Sequence, residues 1–271
     1  MTFSFLAGYT PLQLALIGGG FAWMVTALGA AVVFLFGKIE RNVMNGLLGF
    51  SAGVMIAASI WSLIIPSIDL SDELHMIPWV PPTVGILTGM TVLFIIDKII
   101  PHLHQGLPKT KSEGPKTKWQ KNILLFSAIT LHNIPEGLVI GVAFGSLNYA
   151  SVHMTLPIAA ALALGIALQD FPEGIAATVP LRSGGWSKWK SFFYGQLSGM
   201  VEPIGALFGY LFVTLSRSIL PYALSFAAGA MLFVVIEELI PESQQEGNTD
   251  ISTIFTIIGF VVMMILDVAL S

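Results

Sequence analysis

Two six-residue clusters place cation-holding side chains inside otherwise apolar sequence: His132-Asn133-Ile134-Pro135-Glu136-Gly137 and Gln169-Asp170-Phe171-Pro172-Glu173-Gly174. Each offers a nitrogen or oxygen donor, a second donor at the next position, and a carboxylate four residues after the first. Polar side chains at membrane depth are costly and mark function by default. Residues three or four apart share a helix face, so Glu136 lies one turn from both His132 and Asn133, and Glu173 one turn from Gln169 and Asp170. A single carboxylate then serves two adjacent ions, and antiparallel packing would bring the two sets face to face as a two-ion site. Pro135 and Pro172 each remove a backbone hydrogen bond and free a carbonyl one turn earlier. Glu202, beside Pro203, adds a further acid, so Glu136, Asp170, Glu173 and Glu202 offset two divalent cations. Carboxylates, amides and one imidazole suit Zn²⁺, Fe²⁺, Mn²⁺, Co²⁺ or Cd²⁺ better than Cu⁺. Hydrogen bonding between helices is the plainer reading of a lone polar residue. Two motifs with paired carboxylates favour metal.

The elements that must position these groups are membrane helices. Of 271 residues, 55% are hydrophobic and only 10% charged, and the mean hydropathy is +0.81. That much apolar surface does not fit inside one soluble core, so lipid is its solvent. Spans are expected near 11–36, 43–66, 80–100, 122–146, 155–180, 192–215, 219–240 and 252–270, within one transmembrane domain covering 1–271. Backbone groups in lipid need internal partners, and no barrel-type alternation is present, so the fold class is all-α integral membrane. Residues 1–10 carry no Lys or Arg, and the first span is expected to be retained. Residues 101–121, rich in Gly, Pro, Ser, Thr and Lys, read as a mobile cytoplasmic loop.

Charge orients the bundle. Eleven of the twelve Lys and Arg residues fall in odd-numbered gaps, Arg217 alone in an even one, which predicts cytoplasmic odd loops and both termini outside. The absence of cysteine removes disulfides and thiolate metal sites, and the lysines on one membrane face give no reason to expect nucleic acid.

The chain also matches itself. Phe50-Ser51-Ala52-Gly53-Val54-Met55 resembles Phe226-Ala227-Ala228-Gly229-Ala230-Met231 at an offset of 176, and Gly29-Ala30 resembles Gly205-Ala206 at the same offset. Gly89, Val92, Ile95 and Asp97 match Gly259, Val262, Ile265 and Asp267 at an offset of 170. Spans 1–3 thus repeat as 6–8, and the twin motif relates spans 4 and 5. A shift of five spans, an odd number, inverts the copies, giving eight helices in a 3+2+3 inverted repeat with the substrate site near a pseudo-two-fold axis.

Two other classes are weighed. A membrane-embedded metal-dependent hydrolase would use paired ions to activate water, but no His-Glu-x-x-His motif appears and no general base is left over. A proton-coupled carrier of an organic solute would use the acids as relays and would tolerate replacement of His132. Spacing alone assigns Met55 to core packing.

With these motifs, eight spans and the inverted repeat, the chain resembles the prokaryotic branch of the ZIP (Zrt/Irt-like) divalent-metal transporters over essentially its whole length. The resemblance implies a binuclear metal site formed by His132, Asn133, Glu136, Gln169, Asp170, Glu173 and Glu202, with Met55 at the edge of one site and Glu136, Glu173 and Glu202 as bridging carboxylates. Many members have histidine where this chain has Gln169, a weaker ligand. Asp69 would face the outer entrance, Glu238 and Asp267 would see passing ions, and His102 and His104 would correspond to a histidine-bearing loop. The implied function is zinc uptake into the cytoplasm, with Cd²⁺, Fe²⁺, Mn²⁺ and Co²⁺ as other substrates; the metal is cargo, no cofactor is needed and the protein is not an enzyme. Spans 1, 4, 5 and 6 would carry metal past spans 2, 3, 7 and 8 as an elevator. A homodimer in the lipid bilayer of a prokaryotic cytoplasmic membrane is the implied setting.

Overall fold

The computed structural model describes residues 6, 8–36, 39–103, 109–118, 120–149, 155–245 and 249–270. Among them, 8 helices are long and apolar enough to cross a membrane: α1 Pro11–Leu35, α2 Arg41–Glu73, α3 Val80–Ile99, α4 Asn122–Ser146, α5 Leu156–Ser183, α6 Lys188–Val213, α7 Arg217–Ser243 and α8 Thr249–Ala269. Apolar side chains point outward as well as inward. Leu28, Phe208, Ile257 and Val268 are each more than half exposed, a belt that requires lipid rather than water around it. The chain is therefore a multi-pass membrane protein.

Local chemistry sets the helix ends and irregularities. Thr10 caps α1, accepting from the Gln13 amide while the Gln13 side chain accepts from the Thr10 amide, with Pro11 in the first turn where its missing N–H is not needed. α2 and α7 each widen into a π-helical segment, Ser59–Ile64 and Val235–Leu239. Pro66 and Pro241 follow these segments. A proline ring clashes with the carbonyl four residues before it, and a wider turn relieves the clash. The α-helix continues through Pro135 in α4 and through Pro172 in α5. α6 breaks at Met200 and restarts at Val201.

Packing divides the helices into two groups. In one, α1 lies along α5, α4 along α6, and α1 also packs on α6; in the other, α2 lies along α8 and α3 along α7. The groups meet mainly where α2 touches α5 and α4 touches α7. Glycines set the closest approaches: a Cβ on Gly53 would fall 1.9 Å from the Thr256 carbonyl oxygen, and one on Gly229 would fall 2.2 Å from that of Ile86. Without side chains there, the helix backbones touch.

Two differences from the sequence reading concern the ends. α2 runs on to Glu73, seven residues beyond the expected end, so Asp69 and Asp72 lie in its last turns rather than in a loop. The segment after α3 is not wholly open. The His102 and Glu113 backbones pair, the Leu103 amide donates to the Leu124 carbonyl at 3.2 Å, and Leu103 is buried beside Leu124 and Leu181. Three apolar side chains packing under the bundle outweigh the loop-like composition around them.

Candidate metal site

Each element delivers its ligand-type residues through helix periodicity. His132, Asn133 and Glu136 occupy one face of α4, and Gln169, Asp170 and Glu173 the corresponding face of α5. Glu202 stands in the first turn of the restarted α6, where unpaired amides and the helix dipole favour a carboxylate. All seven side chains are buried, none more than 5% exposed.

The two motifs do face each other. Glu136, Asp170 and Glu173 bring one carboxylate oxygen each within 4.8 Å of one another. Gln169 Nε2 donates to Glu136 Oε1. Asn133 Nδ2 donates to Glu202 Oε1 at 2.7 Å, and the Thr26 hydroxyl donates to the same oxygen at 2.9 Å. The amide nitrogens are thus spent on carboxylates, and the amide oxygens are left over. Both oxygens of Asp170, both of Glu173, Glu136 Oε2, Glu202 Oε2, Asn133 Oδ1 and Gln169 Oε1 are buried and reach no hydrogen-bond donor among the described residues. Leaving one buried acceptor unmade costs about 1–3 kcal/mol, and more for a charged group. So many converging oxygens make a cage that a divalent cation would satisfy, since its charge offsets their mutual repulsion.

The remaining expected residues fall around this cage. Met55 is wholly buried on α2. Ser51, one turn before it, donates to the Gln169 carbonyl at 3.1 Å, so this face of α2 addresses α5 at the motif. His132 Nε2 lies against a carboxylate oxygen of Glu238 of α7, joining the two helix groups. Asp267 is not drawn into the cage; it is buried on α8 and accepts from Ser62 at 2.5 Å. Asp69 is half-buried near the end of α2. His102 is fully buried beneath the bundle, with Nε2 2.9 Å from Asp97 Oδ1, and Asp97, His102 and Glu113 bring donor atoms within 4.8 Å of one another. Burial disfavours the charged imidazole of His102, but its bonds to Asp97 and to the Ile100 carbonyl prevail and hold its pKa above the ordinary histidine value. His104 lies outside the described residues. Sequence reasoning missed Thr26, Ser51 and Ser62. A hydroxyl residue in an apolar helix carries little signal, although Thr26 stands 176 residues before Glu202 and Ser62 the same distance before Glu238.

Eight helices of spanning length, among the described residues, around a buried, oxygen-rich and acidic cage define a multi-pass membrane protein. The model of the family described as "ZIP Zinc transporter" matches residues 116–267, and the chain belongs to the ZIP family. It is 37% identical to the human protein named "Zinc transporter ZIP11" over 98% of this chain and 100% of that one. It is 36% identical to "Zinc transporter GufA" of Myxococcus xanthus, covering 94% of this chain and 98% of the relative. It is also 36% identical to "Zinc transporter ZIPB" of Bordetella bronchiseptica, covering 95% and 81% respectively.

Proposed function

We propose that this chain carries zinc across a membrane, into the cytoplasm, through a binuclear site. The observation that carries the reading is the Glu136–Asp170–Glu173 cage, whose buried oxygens lack donors inside a membrane-spanning bundle. The relatives' names as zinc transporters supply the cargo, and family membership sets aside the hydrolase and organic-solute alternatives. The metal ligands are His132, Asn133, Glu136, Gln169, Asp170, Glu173 and Glu202, with Met55 at the edge of the site. Asp69 and Asp267 line the outer approach and Glu238 the inner one. His102, with Asp97 and Glu113, forms a further metal contact on the cytoplasmic side, to which His104 of the same loop would add. Cd²⁺, Fe²⁺, Mn²⁺ and Co²⁺ compete for the same oxygen donors.

The architecture is a 3+2+3 inverted repeat within a single domain. Three matches support it. The π-helical segments begin at Ser59 and Val235, 176 residues apart, the offset of the sequence match between α2 and α7. Gly53 approaches Thr256 as Gly229 approaches Ile86, pairs related by offsets of 176 and 170. Exchanging α1 with α6, α2 with α7, α3 with α8 and α4 with α5 turns every principal helix pairing into another one or, for α1 with α6, into itself. An elevator motion of α1, α4, α5 and α6 past α2, α3, α7 and α8 accords with the two packing groups, and a homodimer would anchor the second group. Lysine placement supports cytoplasmic odd loops and outward termini in a prokaryotic cytoplasmic membrane.

Equilibrium dialysis of the purified protein against ⁶⁵Zn²⁺ tests the site. Two ions per chain, displaced by Cd²⁺, are expected, and Glu136→Ala should lose both because its carboxylate bridges them. One ion per chain overturns the binuclear site, and none overturns the reading as a whole.

A further inference from the structure

α1 is apolar along its buried face except at Thr26, which has no exposed surface. The Thr26 hydroxyl has one proton and two neighbours, the Ala22 carbonyl at 3.2 Å and Glu202 Oε1 at 2.9 Å. A helical threonine commonly bonds the carbonyl four residues back. Here the nearer acceptor is a carboxylate, and bonds to charged acceptors are stronger. Asn133 donates to the same Oε1 at 2.7 Å, whereas Glu202 Oε2 is buried and reaches no donor. The carboxylate is therefore held by one oxygen and free at the other. A Cβ on Gly199 would fall 2.9 Å from both Glu202 Oε1 and the Thr26 Cβ, so only glycine lets α6 close over this contact.

Thr26 and Glu202 are 176 residues apart, the offset relating α1 to α6, and each occupies the other's place in the repeat. Two carboxylates at facing, buried positions would repel each other strongly. A hydroxyl opposite the acid instead donates to it, which leaves one acid shared between the halves.

The geometry points to Thr26 as a positioning residue for the metal: with Asn133 it occupies Glu202 Oε1 and so commits Oε2 to zinc. This assignment rests on the zinc-transport reading above. A partner that orients a metal ligand from behind typically sets affinity by about 10–100-fold.

Thr26→Val keeps the side-chain shape and removes the hydroxyl, whereas Thr26→Ser keeps the hydroxyl. Zinc uptake by protein in liposomes and zinc binding by the purified protein are measured for wild type, both variants, Glu202→Ala and the Thr26→Val/Glu202→Ala double variant. Thr26→Val should raise the zinc KM and Kd about tenfold while kcat stays within about twofold, and Thr26→Ser should stay within about twofold of wild type throughout. On the Glu202→Ala background the valine should change neither constant, because the partner through which Thr26 acts is gone. The assignment is overturned if Thr26→Val matches wild type, if Thr26→Ser is equally impaired, or if the valine effect persists without Glu202. Wild-type protein that binds zinc but carries none removes the transport reading, and the binding arm still decides the role of Thr26. Wild-type protein that neither binds nor carries zinc overturns both.

Discussion

At the scale of single residues, the chemistry comes down to which buried oxygens have donors. Glu136 has one oxygen occupied by Gln169 and one free, Glu202 has one occupied and one free, and Asp170 and Glu173 have both free. In the proposed binuclear site Glu136 and Glu173 are shared by two ions, so Glu136→Ala and Glu173→Ala should each weaken zinc binding by about tenfold or more, the equivalent of about 1.4 kcal/mol or more. Titration calorimetry of the purified variants checks this, and wild-type affinity in either would remove that residue from the site. Met55 separates packing from ligation. Met55→Leu conserves volume and should cost less than about 1.5 kcal/mol of stability, yet it removes the soft sulfur proposed at the site's edge and should weaken Cd²⁺ competition more than Zn²⁺ binding. Unchanged competition would leave Met55 as core. The clusters around Glu136 and Glu173 were legible in the sequence because polar groups at lipid depth stand out. Thr26 and the His132–Glu238 pair were not, because a lone hydroxyl resembles packing and a pair between α4 and α7 depends on how distant helices dock.

At the scale of elements, the spans were legible from length and hydropathy, while their irregularities were not. The π-helical segments of α2 and α7 arise from Pro66 and Pro241, and a proline alone does not say whether a helix will kink, break or widen. The glycines at helix crossings lead to a paired prediction. Gly53→Val and Gly229→Val both drive a side chain into a facing backbone, and each should lower stability by about 1–3 kcal/mol or more. Thermal unfolding in detergent reads this, and a variant melting with wild type would contradict the contact. The packed segment after α3 gives a pH prediction. His102 has a raised pKa, so its clasp on Asp97 contributes fully below about pH 6.5 and is lost as pH rises through the elevated value. In metal-free protein, hydrogen exchange at the Leu103 amide, corrected for intrinsic rate, should show more protection at about pH 6 than at about pH 9. Equal protection would mean that the clasp does not hold the loop.

At the scale of the molecule, the two packing groups and the repeat frame the proposed motion. The proposed repeat rests on short glycine-centred matches in the sequence, whereas the division into groups depends on docking that no local pattern encodes. The chain has no cysteine, so introduced pairs report without background. Phe126 of α4 and Tyr194 of α6 stack edge-on at 5.3 Å within one group. Gly165 of α5 and Met263 of α8 touch across the groups. Oxidised Phe126→Cys/Tyr194→Cys should still carry zinc, whereas oxidised Gly165→Cys/Met263→Cys should stop and recover on reduction. Transport through an oxidised cross-group pair would contradict the elevator. The proposed route of zinc across the membrane is the Glu136–Asp170–Glu173 cage. The most direct test is ⁶⁵Zn²⁺ flux into liposomes containing wild type or Glu136→Ala/Glu173→Ala, with folding of both verified by size-exclusion profile. The account predicts saturable flux for wild type and none above empty liposomes for the double variant; equal flux through both would contradict it.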